Sequence, residues 1–397
     1  MHKNLEELAH EHKTPLYVYD EDRIRQNYRN LKDNFTYPKT RFFYAVKSNY
    51  NPHILRILLE EGSGVDTVSV NEVKLALEAD FSPDQIIFTP ANLSDEDIDF
   101  AVEQGVILNL GSISEINRLG ERYPGYRVSV RINPNVGAGH HEHTITGGES
   151  SKFGVSYLEA GKIKEAVDAH RLDLVGIHSH IGSGILDTET FLYAMDVVLD
   201  VASNFDTLGF VDFGGGFGVP YKGEDQAMDL GELGRLASEK FAKFAENRNI
   251  EMYFEPGRYI VCDAGIMLTK VNTIKTNPQG RKFACVDSGY AQLVRPMIYG
   301  SYHEIINVSN PDGAKEQVDI AGNICESGDM FARQREISAV REGDVLAVLS
   351  AGAYGASMAS NYNLQAIPAE ILVNNQGQIK KIRNRQVFSD ILKMFDF

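Results

Sequence analysis

The sequence predicts a (β/α)8 barrel followed by a mainly antiparallel β domain, and three observations carry that prediction. Eight short apolar runs alternate with stretches of helical periodicity between residues 41 and 255, the pattern of parallel strands joined by crossover helices. Eight such units in roughly two hundred residues suit a closed barrel better than an open doubly wound sheet. Beyond Pro256 the texture turns β-rich, with few helical stretches.

In chain order the barrel strands are expected at 41–45 (RFFYA), 64–68 (GVDTV), 85–88 (QIIF), 106–109 (VILN), 127–131 (RVSVR), 174–179 (LVGIHS), 209–213 (GFVDF) and 251–255 (EMYFE). Between the last three, apolar residues recur at three and four spacing: Phe191, Met195, Val198, Ala202 and Phe205, then Leu233, Leu236, Phe241 and Phe244. The β domain is expected from IMLTKVNTI, KFACVDS, QVDIAG, DVLAVLS, AEILV and IKKIR. The early run PLYVYD (15–20) precedes the barrel and is placed with that second domain. The expected organisation is an N-terminal segment 1–32 packing with the β domain, a barrel over 33–262, and the β domain over 263–397.

The 39 basic and 55 acidic side chains give a formal charge of −16, which speaks against nucleic acid as a partner, since phosphate backbones are bound by concentrated Lys and Arg. Three cysteines without metal or disulfide spacing suit a reducing compartment. The N-terminus carries acids and histidines where a signal peptide has an apolar run, and no stretch reaches about 18 uninterrupted apolar residues, so the expectation is a cytoplasmic protein with no membrane partner.

In a barrel of this kind the site is built at the carboxyl ends of the strands. Four polar signals fall there: Lys47 after the first strand, His178 and His180 in HSHIGSG, Gly214, Gly215 and Gly216 after the seventh, and Glu255 in EPGRY. A lysine at the end of an apolar strand is placed for Schiff-base chemistry, although a lone lysine more often snorkels to solvent. The glycine run lacks both dinucleotide and P-loop spacing, yet suits phosphate, because backbone amides can approach an anion closely there. Read on its own it is as readily a flexible strand-to-helix turn. Together these features point to pyridoxal phosphate, with Glu255 as partner of the ring nitrogen. The bland alternative for Glu255 is a turn pairing with Arg258.

The blocks YAVKSN, SKFG (151–154), HSHIGSG, GGGFG, EPGRY, RPMIY (295–299), CESGD (325–329) and GAYGASMASNYN (352–363) span 44–363. In these blocks the chain resembles the pyridoxal-phosphate decarboxylases of the alanine-racemase-like fold, and most of all their diaminopimelate-cleaving branch. The resemblance implies Lys47 as the cofactor's lysine, His180 stacked on the ring and Glu255 on its nitrogen. Ser183, Gly214, Gly215, Gly216 and Tyr354 hold the phosphate. Arg258, Arg295 and Tyr299 hold the substrate's distal carboxylate, with Tyr354 also on the substrate side, and Glu326 takes its distal ammonium. Cys325 is implied as proton donor, reaching in from a second chain of a homodimer with shared sites. The implied reaction is decarboxylation of meso-2,6-diaminopimelate to L-lysine, the last step of lysine synthesis. The family usually carries a basic, proline-containing run before Pro-Ala-Glu, whereas here Leu364, Gln365, Ala366 and Ile367 precede Pro368.

Outside the motif, Arg295 would read as a rim salt bridge and Cys325 as a small buried apolar residue. His140, His141 and His143 do not read as a metal site, since neighbours on a strand cannot all face one ion, and no metal is expected. Three other readings compete: a decarboxylase of another basic amino acid or carboxynorspermidine on the same fold, a racemase, and a cofactor carrier. Arg295 and CESGD oppose the first, and Glu255, where racemases of this fold place an arginine, opposes the second. Carriers are much shorter, which opposes the third.

Overall fold

In the computed structural model the described residues are 5–137, 139, 146–148 and 151–396. His140, His141 and His143 therefore lie outside the described residues. The chain divides into two compact units, one of residues 25–219 and 226–259, the other of residues up to Ile24, Pro220–Asp225 and those from Ile260 on.

Within the second unit, β1 (Leu16–Asp20) pairs antiparallel with the long strand that opens the C-terminal region and parallel with a late one, so PLYVYD joins the β domain. The barrel strands are β2 (Thr40–Ala45), β3 (Gly64–Thr67), β4 (Ile86–Phe88), β5 (Ile107–Leu110), β6 (Arg127–Asn133), β8 (Asp173–His178), β9 (Phe210–Asp212) and β10 (Glu251–Phe254), with the two-residue β7 (Val155–Ser156) added to β6. All are parallel, in the order β5-β4-β3-β2-β10-β9-β8-β6, and β5 pairs with β6 to close the ring. The eight expected strands are the eight observed ones, to within one or two residues at their ends.

The crossover helices begin where side chains can satisfy the free amides of a first turn. Ser69, Ser94 and Ser112 each accept from the backbone N–H three residues on, and Asp187 and Asp229 cap the helices Thr188–Ala202 and Leu230–Phe244. Phe191, Met195 and Val198 are buried on the first of these and Leu233 and Phe241 on the second, as three and four spacing requires. Phe205 lies beyond the helix, which ends at Ala202.

The remaining strands are β11 (Gly265–Thr276), β12 (Lys282–Val286), β13 (Ile305–Asn307), β14 (Lys315–Ala321), β15 (Met330–Ser338), β16 (Val345–Val348), β17 (Ala369–Val373) and β18 (Ile379–Arg383). They form one mixed sheet with β1. The pairs β1–β17 and β12–β14 are parallel and the other pairs antiparallel. β13 and β15 carried too little alternation to be expected from sequence. One face of this sheet packs Leu16, Val18, Leu268, Ala347 and Ile371 against Leu8 and Ala9 of the helix Leu5–His12.

Candidate active site

The barrel places its polar residues by strand periodicity. Phe43, Ile87, Ile107, Phe210 and Tyr253 form one buried cluster. Since β4 and β9 stand on opposite sides of the ring, those contacts cross the interior. A Cβ on Gly64 or Gly176 would strike the rings of Phe43 or Phe210, so these glycines face the same layer. Side chains two residues on point the same way, one layer nearer the carboxyl ends. Apart from Ala45, that next layer is polar: Asp66, Thr89, Asn109, His178, Asp212 and Glu255, joined by Arg131 two residues after the buried Ser129. All are buried.

Lys47 follows β2 in a single 3-10 turn, Val46–Ser48. Ser48 Oγ donates to Ala45 O at 2.7 Å, and Tyr44 OH donates to Asn49 O at 3.1 Å, which staples the turn. Ala45 N donates to Pro256 O at 3.1 Å, and Gly257 lies so near Ala45 and Ser48 that a Cβ would be 3.0 Å from both. The YAVKSN and EPGRY blocks are thus packed on each other. Lys47 Nζ reaches Asp66 Oδ2 at 2.6 Å. Burial raises the Asp66 carboxyl, and the Glu255 charge raises it further, while Lys47 opposes both.

Glu255 accepts from His178 Nε2 at 3.0 Å through Oε2, and its Oε1 has no hydrogen-bond partner among the described residues. Burial works against its charge, but His178 and Lys47 outweigh burial and hold the carboxyl down to about 2. His180 Nδ1 accepts from Gly215 N at 3.1 Å, which requires a bare Nδ1. Burial and the nearby Arg131 and Lys47 push its proton affinity well down, so the ring is neutral. Arg131 stands 4.6 Å over the Phe153 ring, inside the SKFG block.

The glycine run is demanded by close approach. Gly214 and Gly216 have φ of +69° and +106°, and a Cβ on Gly215 would lie 2.0 Å from the Glu255 carbonyl oxygen. Gly216 O accepts from Ile185 N at 2.9 Å, which holds the HSHIGSG loop against the glycine loop. On that loop Ser183 Oγ accepts from Arg258 Nη2 at 3.0 Å.

In the β-rich unit, Arg295 and Tyr299 share the helix Arg295–Tyr299. Arg295 is buried, its guanidinium 5.3 Å from the Tyr221 ring centre and its Nη2 3.2 Å from Ser301 Oγ. Cys325 and Glu326 are exposed on the CESGD turn. Glu326 accepts from Tyr362 OH at 2.6 Å, and Asn363 Nδ2 lies 3.3 Å from Cys325 Sγ. Buried Asp329 knots the turn, accepting from Tyr290 N at 2.7 Å and Ile324 N at 2.9 Å. A cavity of about 300 Å³ beside it is lined by Tyr290, Met297, Glu326, Gly328 and Tyr362. Tyr354 sits in the GAYG turn with φ of 55°.

Barrel strand ends thus bring Lys47, His180, Gly214, Gly215, Gly216 and Glu255 to one site. Asp66, Arg131 and Asp212 of the same layer were missed from sequence, although each stands two residues after a small or apolar interior position. The set fits pyridoxal phosphate. An unpartnered buried carboxylate oxygen suits a protonated ring nitrogen, a neutral imidazole suits the ring face, and the glycine loop suits an anion. The three cysteines form no disulfide. No helix among the described residues is long and apolar enough to cross a membrane.

A family described as "Pyridoxal-dependent decarboxylase, pyridoxal binding domain" matches residues 21–262. The chain is 49% identical to the diaminopimelate decarboxylase of Methanothermobacter thermautotrophicus, covering 98% of this chain and 92% of that protein. It is 36% identical to that of Escherichia coli strain K12, covering 99% and 96%. Among solved structures, diaminopimelate decarboxylase from Helicobacter pylori complexed with L-lysine superposes with a TM-score of 0.91 at 33% identity, covering 98% of this chain and 99% of that one. The chain belongs to the pyridoxal-dependent decarboxylases and, within them, to the diaminopimelate decarboxylase family.

Proposed function

We propose that this chain removes one carboxyl group from meso-2,6-diaminopimelate to give L-lysine and carbon dioxide, the last step of lysine synthesis. The observation that carries the reading is the barrel site, where Lys47, neutral His180 and the unbonded Oε1 of Glu255 converge, in a chain 49% identical to a diaminopimelate decarboxylase over 98% of its length.

Bound pyridoxal phosphate supplies the electron sink for the pair released when the bond to carbon dioxide breaks. Lys47 is the amine that carries the cofactor and gives way to the substrate amine. Glu255 keeps a proton on the ring nitrogen through Oε1, and a carboxylate already fixed by His178 does so without reorganising. His180 packs its uncharged ring on the cofactor face. Ser183, the backbone of Gly214, Gly215 and Gly216, and Tyr354 take the phosphate.

Diaminopimelate has an ammonium and a carboxylate at each end, and the end that does not react must be read as well. Arg258, Arg295 and Tyr299 are assigned to its carboxylate, with Tyr354 alongside, and Glu326 to its ammonium. Cys325 returns the proton to the product carbon from the neighbouring chain of a homodimer. Mixing Lys47→Ala with Cys325→Ala protein tests this: activity regained on subunit exchange supports a shared site, and none regained refutes it. The acidic balance supports a protein without nucleic-acid partners, and three cysteines without disulfide spacing support the cytoplasm.

The function is tested by supplying the protein and pyridoxal phosphate with meso-diaminopimelate, L-lysine, L-ornithine or L-arginine and measuring carbon dioxide and the amine formed. Lysine from diaminopimelate alone is expected. Carbon dioxide from one of the other three instead would overturn the substrate assignment, beginning with Arg295 and Glu326.

A further inference from the structure

The wall behind Glu255 holds a second buried carboxyl group. Asp212 ends β9, level with His178 of β8 in the strand register. One ligand atom each from His178, Asp212 and Glu255 lie within 4.8 Å of one another. Asp212 Oδ1 accepts from Gly214 N at 2.8 Å, whereas Oδ2 has no partner among the described residues.

Two carboxyl groups this close and this buried do not both ionise. His178, 3.0 Å from Glu255, and Lys47 hold the Glu255 carboxyl low, so Glu255 is the charged member of the pair and accepts from a protonated His178 Nε2. The proton of the pair then sits on Asp212, which has no ion pair among the described residues. The other charged or titratable groups of this layer are Lys47 after β2, Asp66 on β3, Arg131 on β6, and His178 and His180 at the end of β8. Burial and the Glu255 charge push the Asp212 carboxyl well up, as that arrangement requires.

We propose that His178 and protonated Asp212 are positioning residues for Glu255, His178 fixing Oε2 and Asp212 keeping the buried pair to a single negative charge, so that Glu255 meets the cofactor's ring nitrogen as a fixed carboxylate. The proposal rests on the cofactor reading above and extends it to two residues that reading assigns to neither cofactor nor substrate. Asp212 serves here as a neutral donor, so its charge is dispensable and its hydrogen bonds are not. Asp212→Asn keeps an oxygen to accept from Gly214 N and puts a neutral amide donor where the protonated Oδ2 stands. His178→Gln likewise keeps a donor, and His178→Leu does not.

The experiment titrates the full chain with pyridoxal phosphate alone, for wild type, Asp212→Asn, Asp212→Ala, His178→Gln and His178→Leu, reading the dissociation constant and the absorption spectrum of the loaded protein against pH. Asp212→Ala and His178→Leu are expected to bind about tenfold more weakly and to shift the spectral pH profile, as the loss of one buried charge-assisted hydrogen bond implies. Asp212→Asn and His178→Gln are expected to recover to within about threefold of wild type. With substrate, the first pair loses kcat while KM moves little. If Asp212→Asn is as impaired as Asp212→Ala, the aspartate acts as an anion and the proposal fails; it fails equally if Asp212→Ala matches wild type. Should Asp212→Ala not fold, His178→Gln against His178→Leu decides by the same rule. A protein that binds pyridoxal phosphate with the expected pattern but releases no carbon dioxide from diaminopimelate sinks the function and leaves this inference standing.

Discussion

Lys47 Nζ stands 2.6 Å from Asp66 Oδ2, and the two residues come from adjacent strands of the barrel, Asp66 wholly buried and Lys47 partly exposed. Ala45 and Asp66 are register partners across β2 and β3, so the ion pair is a consequence of parallel pairing plus one 3-10 turn. An anion placed there holds the flexible lysine stem in one direction before any cofactor arrives.

Removing the anion should therefore disturb orientation. Asp66→Ala is expected to lower kcat about tenfold, and Lys47→Ala by about a thousandfold or more. Borohydride reduction of the loaded wild type should leave the cofactor's mass on the peptide bearing Lys47. Finding it on another lysine would remove Lys47 from its role.

The Glu255 carboxylate, at the end of the neighbouring strand β10, can be neutralised without changing its shape. Glu255→Gln keeps the volume and an oxygen that can accept from His178, but loses the charge that retains a proton on the ring nitrogen. Steady-state assays should show kcat reduced by about a hundredfold, comparable to the loss of one preorganised electrostatic contact.

Gly215 is tested by volume. A methyl there meets the Glu255 carbonyl oxygen at 2.0 Å, a backbone atom that cannot swing aside. Gly215→Ala is expected to destabilise the chain by about 2–3 kcal/mol and to weaken cofactor binding. An unchanged urea midpoint would contradict the packing described.

Beneath the helices, Phe254 touches the rings of Phe35, Phe42, Phe191, Phe213 and Phe217, with ring centres between 4.6 and 6.1 Å. Phe254→Ala should cost about 3–5 kcal/mol, read from the same urea titration.

One surface network gives a pH prediction. Glu61 accepts from Arg29 and Arg25, at 2.7 and 3.0 Å, and although its partial burial favours the neutral acid, these two arginines hold its carboxyl below the ordinary value. A folded-state value below the unfolded one stabilises above the unfolded value, near 4.5, and that stabilisation is lost as pH falls through the folded value. Glu61→Gln should be about 1 kcal/mol less stable at pH 7 in low salt, with the difference closing as pH falls through the folded value. A gap that persists at pH 3 would assign the effect to packing.

Much of the barrel could be read in advance because each of its strands is a short, largely apolar run, buried along most of its length, and the helices Thr188–Ala202 and Leu230–Phe244 repeat their apolar residues at three and four. β15, by contrast, runs Met-Phe-Ala-Arg-Gln-Arg-Glu-Ile-Ser, with polar residues in succession, and its strand character comes from pairing with β14 rather than from local pattern. The same holds for β13, three residues long, which exists because β16 accepts it.

Lys47, His180, the glycine run and Glu255 were legible because chemistry-bearing residues in apolar or glycine-rich surroundings stand out along a chain. Asp66, Arg131 and Asp212 did not stand out, since a lone acid or arginine in a strand is ordinary until its neighbours are known. Sequence by itself determined the fold class, the strand count of the barrel and the candidate residues for the cofactor, because periodicity and motif are properties of neighbouring positions. Only the tertiary structure decided that Glu255 meets His178 and Asp212, that Lys47 meets Asp66, and that Asp329 knots the CESGD turn. Those partners lie 19 to 77 residues apart or answer to backbone amides from other segments. Barrel closure and strand register, which bring such residues within 3 Å or so, are settled by packing the whole ring at once.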